Sequence, residues 1–128
     1  MVTFAREEDK VTHTMIKRAE EKGEQYNCIE RLVTEVSKQI VKSHIGIGHT
    51  RWATCGEKVE KNAHPHFDME RNIFLVHNGI IGGYPTIKAD YLDGVEFTSE
   101  TDSEVIVQLL SKFKKLGMSM VEAIKKAE

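Results

Sequence analysis

The stretch Ile45-Gly46-Ile47-Gly48-His49-Thr50-Arg51-Trp52-Ala53-Thr54-Cys55-Gly56 constrains this chain more than any other. Ile45 and Ile47 alternate with glycines, the pattern of a short strand that lets another backbone come close. The chain then leaves regular structure through a run of hydrogen-bonding side chains that includes its only tryptophan, Trp52. An arginine held there between Thr50 and Trp52 is well placed to grip a carboxylate, because the guanidinium fork binds it bidentately and the neighbours fix the fork. A strand-end arginine in an ordinary ion pair accounts for the same residues.

With 128 residues the chain is one domain at most, long enough for a single core. A net charge of −2 gives no electrostatic reason to expect nucleic acid or an anionic membrane as partner. No apolar run approaches the roughly eighteen residues needed to span a bilayer, and the acidic N-terminal decapeptide has no signal-peptide core. Cys28 and Cys55 sit in unlike contexts, which reads as free thiols in a reducing compartment. A cytoplasmic protein is expected.

Residues 2–5 and 11–16 read as a hairpin around a charged turn. Asn27 and Glu30 stand in capping-box position ahead of Ile29, Leu32, Val33, Val36, Ile40 and Val41, whose spacing predicts an amphipathic helix packed on a sheet. Residues 57–70 read as a polar loop containing Asn62-Ala63-His64-Pro65-His66, and 73–76 as a strand covered on both faces. Pro85 suits the first turn of a helix that Gly94 stops. Thr101 to Glu104 and Ser119 to Glu122 both fit capping boxes, the first opening a helix that ends at Gly117. Strands followed by capped helices predict an α/β or α+β layered domain.

Three blocks in order carry the chemistry: the opening stretch, Asn72-Ile73-Phe74-Leu75-Val76-His77-Asn78-Gly79-Ile80-Ile81, and Phe97-Thr98-Ser99-Glu100-Thr101-Asp102-Ser103-Glu104-Val105-Ile106. They resemble the glutaminase domain of the glutamine–fructose-6-phosphate aminotransferases, a class II glutamine amidotransferase domain. The resemblance is firm from about residue 45 to residue 106 and looser on the flanks. It implies an N-terminal-nucleophile fold, a layered αββα sandwich, here incomplete because residues 1–128 match only the middle of the domain. It also implies L-glutamine as substrate, no cofactor, and a sugar-phosphate isomerase domain on a further region or another chain. A homo-oligomer is a further expectation, because missing strands would leave sheet edges open.

Residue by residue, the resemblance makes Arg51 the grip for the α-carboxylate of glutamine and Asp102 the receiver of its ammonium. Trp52 and Thr54 would line the pocket. Asn78 and Gly79 would form the oxyanion hole, a side-chain amide and a backbone N–H aimed at one oxygen. Each has a plainer alternative. Asp102 suits the first turn of a helix, Trp52 and Thr54 could be packing residues, and Asn-Gly is the strongest signal for a type I′ hairpin turn. The helix expected after Pro85 argues against the hairpin.

The pattern also breaks. The family's nucleophile is an N-terminal cysteine whose own amine is the base, whereas this chain begins Met1-Val2 and by itself is expected to be inactive. Cys55 replaces a histidine, and Gly82-Gly83 a polar pair. Two other classes of function compete with the enzyme: a binding module that holds glutamine or glutamate without chemistry, and a metal site drawn from His64, His66, Cys55 and His49. The family carries the same His-Pro-His loop without a metal, so no metal ligand is assigned.

Overall fold

The hairpin forms, and it is longer than the sequence pattern implied. In the structure, a computed structural model that describes residues 1–7, 10–18, 28–38, 43, 45–51 and 56–127, strand β1 (Val2–Glu7) pairs antiparallel with β2 (Lys10–Met15). The Gly-Ile alternation becomes β3 (Ile45–Ile47), antiparallel to the other side of β1 and giving the order β2-β1-β3. Gly46 is the close approach: a Cβ there would lie 3.3 Å from both Thr3 Cγ2 and the Val2 carbonyl oxygen.

Helix α1 (Cys28–Ser37) occupies the middle of the predicted amphipathic stretch. Asn27, Ile40 and Val41 lie outside the described residues, so the proposed cap does too. The expectation that its apolar stripe packs on a sheet is corrected in part. Ile29 is 50% exposed and Val33 61%, and only Leu32 and Val36 are half-buried.

The largest departure lies at residues 57–70. Read as a polar loop, this segment turns part of its length inward: Asn62, His64, Pro65, His66 and Asp68 are all buried. A 3₁₀ turn at Glu60–Asn62 leads to strand β4 (His66–Phe67), which pairs antiparallel with β5 (Phe74–Leu75). Asp68 makes the link between them. Its Oδ1 accepts from the backbone N–H of Asn72 and of Ile73, both at 2.8 Å, and its Oδ2 from Ser111 Oγ at 2.9 Å. β5 is only two residues long and half-buried, so the strand expected to be covered on both faces is a partly covered one. Phe74 packs edge-on against Phe4 with centroids 5.3 Å apart, tying this hairpin to the three-stranded sheet.

Three helices complete the fold: α2 (Tyr84–Tyr91), α3 (Ser103–Lys115) and α4 (Met120–Ala127). Pro85 sits in the first turn of α2 as expected, and Gly94 and Gly117 take the left-handed conformation after α2 and α3. The core gathers on α3, where Val105, Leu109, Leu110 and Phe113 pack with Leu92 and Ala123. Burying each large member contributes about 1.5–3 kcal/mol before entropy is counted. Helices combined with small antiparallel sheets make this an α+β fold.

The two capping boxes fare differently. Ser119 and Glu122 make theirs, with Ser119 N–H donating to Glu122 Oε2 at 2.8 Å and Glu122 N–H to Ser119 Oγ at 3.3 Å. Thr101 and Glu104 do not. Asp102 holds the cap position of α3 without a side-chain bond, and fully buried Glu104 instead accepts from Thr98 N–H (2.9 Å) and Ser99 N–H (2.6 Å). Its carboxylate folds the preceding loop back onto the helix.

Candidate functional site

Four of the six residues singled out in the sequence face one cleft. Arg51, Asn78, Gly79 and Asp102 line a space of about 320 Å³ together with His49, His64, His77, Ile80, Thr101 and Ser103. Trp52 and Thr54 lie outside the described residues, as does Cys55.

Arg51 follows β3, and its Nη1 donates to the carbonyl oxygen of Glu57 at 3.2 Å. That carbonyl also accepts from Asn62 Nδ2 at 3.0 Å. Asn62 in turn holds the third sequence block: its Nδ2 donates to Glu100 Oε2 (3.1 Å), and Glu100 N–H donates to its Oδ1 (2.9 Å). Glu100 is further engaged by Lys61 at 2.5 Å, and this ion pair with the Asn62 bond holds its carboxyl down at about 2. Gly56 must be glycine here. It has φ +75°, and a Cβ would lie 2.9 Å from Asn62 Nδ2.

The histidines make a second set of ties. His66 Nε2 bonds Thr101 Oγ1 at 2.9 Å, and His77 N–H donates to His64 Nδ1 at 3.4 Å. The rings of His49 and His64 lie 4.2 Å apart at a 41° tilt, and those of His64 and His66 meet edge-on at 4.5 Å. Burial, then the neighbouring cationic groups, pushes His64 down to about 4 and His66 to about 3; His49 is lowered by burial too, with His77 and Arg51 adding to it. All three are neutral near pH 7. Among the described residues no three His, Cys, Asp or Glu side chains converge as metal ligands.

Asn78 and Gly79 are exposed at the cleft mouth, and neither has a positive φ. A type I′ turn requires positive φ at both, so the hairpin alternative is excluded. The imidazole of His77 lies against Gly79 and bonds Ser103 through Nδ1 at 3.1 Å. The loop beyond is anchored by Asp102, whose Oδ2 accepts from Ile81 N–H at 2.6 Å. Its Oδ1 faces the Ser103 hydroxyl at 3.5 Å. A guanidinium, a buried carboxylate and exposed amide donors therefore surround one small cavity. That set can hold a zwitterion by both ends and leave a carbonyl near the donors.

The residues missed in the sequence are those that assemble this arrangement, chiefly Asn62, Glu100, His66 and Ser103. For Asn62 and His66 the only signal was an unusual density of polar side chains in their segment, and for Glu100 and Ser103 a place in the third sequence block, with nothing local to say what they would bind.

Arg51 after β3, the Asn78-Gly79 pair and Asp102 at the start of α3 thus meet at one small cleft. The chain belongs to the glutamine amidotransferase domain family, whose sequence model matches residues 2–125. It is 50% identical over 91 residues to the glutamine–fructose-6-phosphate aminotransferase (isomerizing) of Halalkalibacterium halodurans, covering 71% of this chain and 15% of that protein. The enzymes of the same name from Geobacillus kaustophilus (51% over 86 residues; 67% and 14%) and Staphylococcus aureus (52% over 82 residues; 64% and 14%) are similarly close. The matched region thus spans about one seventh of the length of these relatives. Among the described residues no helix is long and apolar enough to cross a membrane.

Proposed function

We propose that the 128 residues act within a glutaminase domain and that the cleft binds L-glutamine, as part of a system that supplies ammonia from glutamine to fructose 6-phosphate in hexosamine synthesis. Arg51 takes the α-carboxylate and Asp102 the α-ammonium. The Asn78 side-chain amide and the Gly79 N–H are the oxyanion donors, each worth about 2.7–4 kcal/mol of transition-state stabilisation in comparable sites. From their place in the motif alone, Trp52 and Thr54 are assigned to glutamine binding as well. The α+β architecture is read as belonging to the layered αββα N-terminal-nucleophile fold. A sugar-phosphate isomerase domain supplies the acceptor site, a homo-oligomer is expected, and the compartment is the cytoplasm.

The observation that carries this reading is the convergence of Arg51, Asn78, Gly79 and Asp102, drawn from three sequence blocks, on one cleft of about 320 Å³. No cysteine lines that cleft among the described residues, so the test is binding rather than turnover. Titration calorimetry of the 128-residue protein should show saturable binding of L-glutamine and much weaker binding of D-glutamine. Arg51→Lys keeps the charge but loses the fork, and Asp102→Asn loses the counter-charge. Each should weaken L-glutamine at least tenfold, with the circular dichroism spectrum unchanged. Absence of binding by the unmodified chain, or equal affinity in both variants, would overturn the assignment.

A further inference from the structure

A second cleft, larger than the first, opens beside the end of β2. It encloses about 430 Å³, and its described lining is unlike that of the glutamine site: the cations Lys17, Arg18 and Lys61, the apolar Met15, Ile16 and Phe67, and Glu60 and Thr98. Three cations oppose the single carboxylate of Glu60, a net charge of +2 within the described lining.

Two of these cations are committed elsewhere. Arg18 pairs with Glu35 (3.3 Å) and Glu60 (3.7 Å), and Lys61 pairs with Glu100 (2.5 Å). Lys17 is different. It is half-buried, its Nζ lies 5.4 Å from the centroid of the Phe67 ring, and among the described residues its ammonium forms no hydrogen bond or ion pair, although its carbonyl oxygen accepts from Arg18 Nη1 at 2.6 Å. Arg71 lies over the same ring at 4.8 Å, adding positive charge behind it. The nearest buried carboxylate, Glu104, is occupied by Thr98, Ser99 and Gln108. A desolvated ammonium without a bonded partner is costly, and burial holds Lys17 at about 8, with Glu104 opposing that fall and Arg71 adding to it.

A bound anion removes that cost. The Arg18–Glu60 pair is long at 3.7 Å and half open to solvent on the Glu60 side, and such pairs contribute little, so Arg18 can turn to an incoming ligand. Arginine and lysine together suit an oxyanion with several acceptor oxygens. Phe67, Ile16 and Met15 offer an apolar wall for an organic body, the mixture of a few charged groups and apolar lining common to small-molecule sites. We propose that this cleft is a second ligand site, distinct from the glutamine cleft, that takes a small organic dianion, a phosphate monoester or a short dicarboxylate, on Lys17 and Arg18.

The experiment uses sulfate, phenyl phosphate and succinate as probes at constant ionic strength, with acetate as the monoanion control. Calorimetry gives affinities, and carbon-13 NMR of the Lys17 ε-carbon reports its titration. Saturable binding of phenyl phosphate tighter than sulfate is expected, with the Lys17 midpoint raised by a unit or more at saturation. Preference for phenyl phosphate over succinate identifies the phosphate source, and the reverse order the carboxylate source. Lys17→Met and Lys17→Gln should each weaken the preferred probe at least tenfold while L-glutamine affinity stays unchanged, which separates this site from the first. Equal anion affinity in both variants, an unmoved Lys17 midpoint, or a linear response shared with acetate would overturn the proposal, whatever the outcome with glutamine.

Discussion

Arg51 and Asn62 share one acceptor, the carbonyl oxygen of Glu57, reached by Nη1 from 3.2 Å and by Nδ2 from 3.0 Å. Asn62 is fully buried and also bonds Glu100 in both directions. The arginine that is proposed to hold the substrate carboxylate is thereby coupled to the segment that carries Asp102.

Asn62→Ala should therefore act on both. It leaves the Glu100 N–H without its acceptor and takes one donor from the Glu57 carbonyl, at about 1–3 kcal/mol for each buried group left unsatisfied. Asn62→Asp should be worse, since it sets a carboxylate against that of Glu100. Urea denaturation measures the loss, and calorimetry should show glutamine affinity falling at least tenfold in Asn62→Ala under conditions where the protein stays folded. A variant within about 0.5 kcal/mol of the parent, the range of ordinary surface substitutions, would remove Asn62 from this role.

His77 and Gly79 make a pair that a double-mutant cycle can isolate. A Cβ on residue 79 would lie 2.7 Å from His77 Nε2 and 2.9 Å from Cε1. Gly79→Ala should cost about 1–3 kcal/mol by overpacking. In a His77→Ala background the ring is gone, and the same substitution should cost at most a few tenths. A coupling energy near zero between the two sites would show that the backbone relaxes away from the ring and that the contact does not set the loop.

Stability should fall in two acid windows that overlap below 4.5. His64 and His66 stay neutral in the fold, at about 4 and about 3, whereas in the unfolded chain they protonate near 6.5. The unfolded state then binds more protons, so stability is full above 6.5 and is lost as pH falls toward those values. Glu100, held at about 2 against an ordinary 4.5, contributes stability that persists above 4.5 and is lost only below it. Urea midpoints between pH 7.5 and 5 thus report the histidines alone of these groups. The slope there should flatten in His64→Gln/His66→Gln, and an unchanged slope in that double variant would assign it to other groups.

Glu104 offers a prediction that its sequence context conceals. As an ordinary capping-box residue it would contribute about 1 kcal/mol. Fully buried and accepting from Thr98 N–H, Thr98 Oγ1, Ser99 N–H and Gln108 Nε2, it should matter far more. Glu104→Ala leaves several donors unpaired and should lower stability by at least about 3 kcal/mol, with Glu104→Gln intermediate because its carbonyl still accepts. Thermal unfolding by circular dichroism is the measure. A shift of only the size expected for a lost helix cap would return Glu104 to the simpler role.

What the sequence determined by itself was local. The 3.6-residue spacing of Val105, Leu109 and Phe113 made α3 legible, and Pro85, Gly94 and Gly117 marked where helices start and stop, because proline and glycine act on their own dihedral angles. Ser119 and Glu122 closed the capping box that their spacing predicts. The motif order likewise pointed to Arg51, Asn78, Gly79 and Asp102. Tertiary structure alone decided the burial of the Asn62–His66 segment, the exposure of Val33 on α1, and the redirection of Glu104 from the expected box to Thr98 and Ser99. In that segment a polar run reads as solvated until its partners are known, and Glu100 and Thr101 stand 38 and 35 residues away. Buried polar groups are stable only when such bonds are made, and no local pattern records which distant residue will make them.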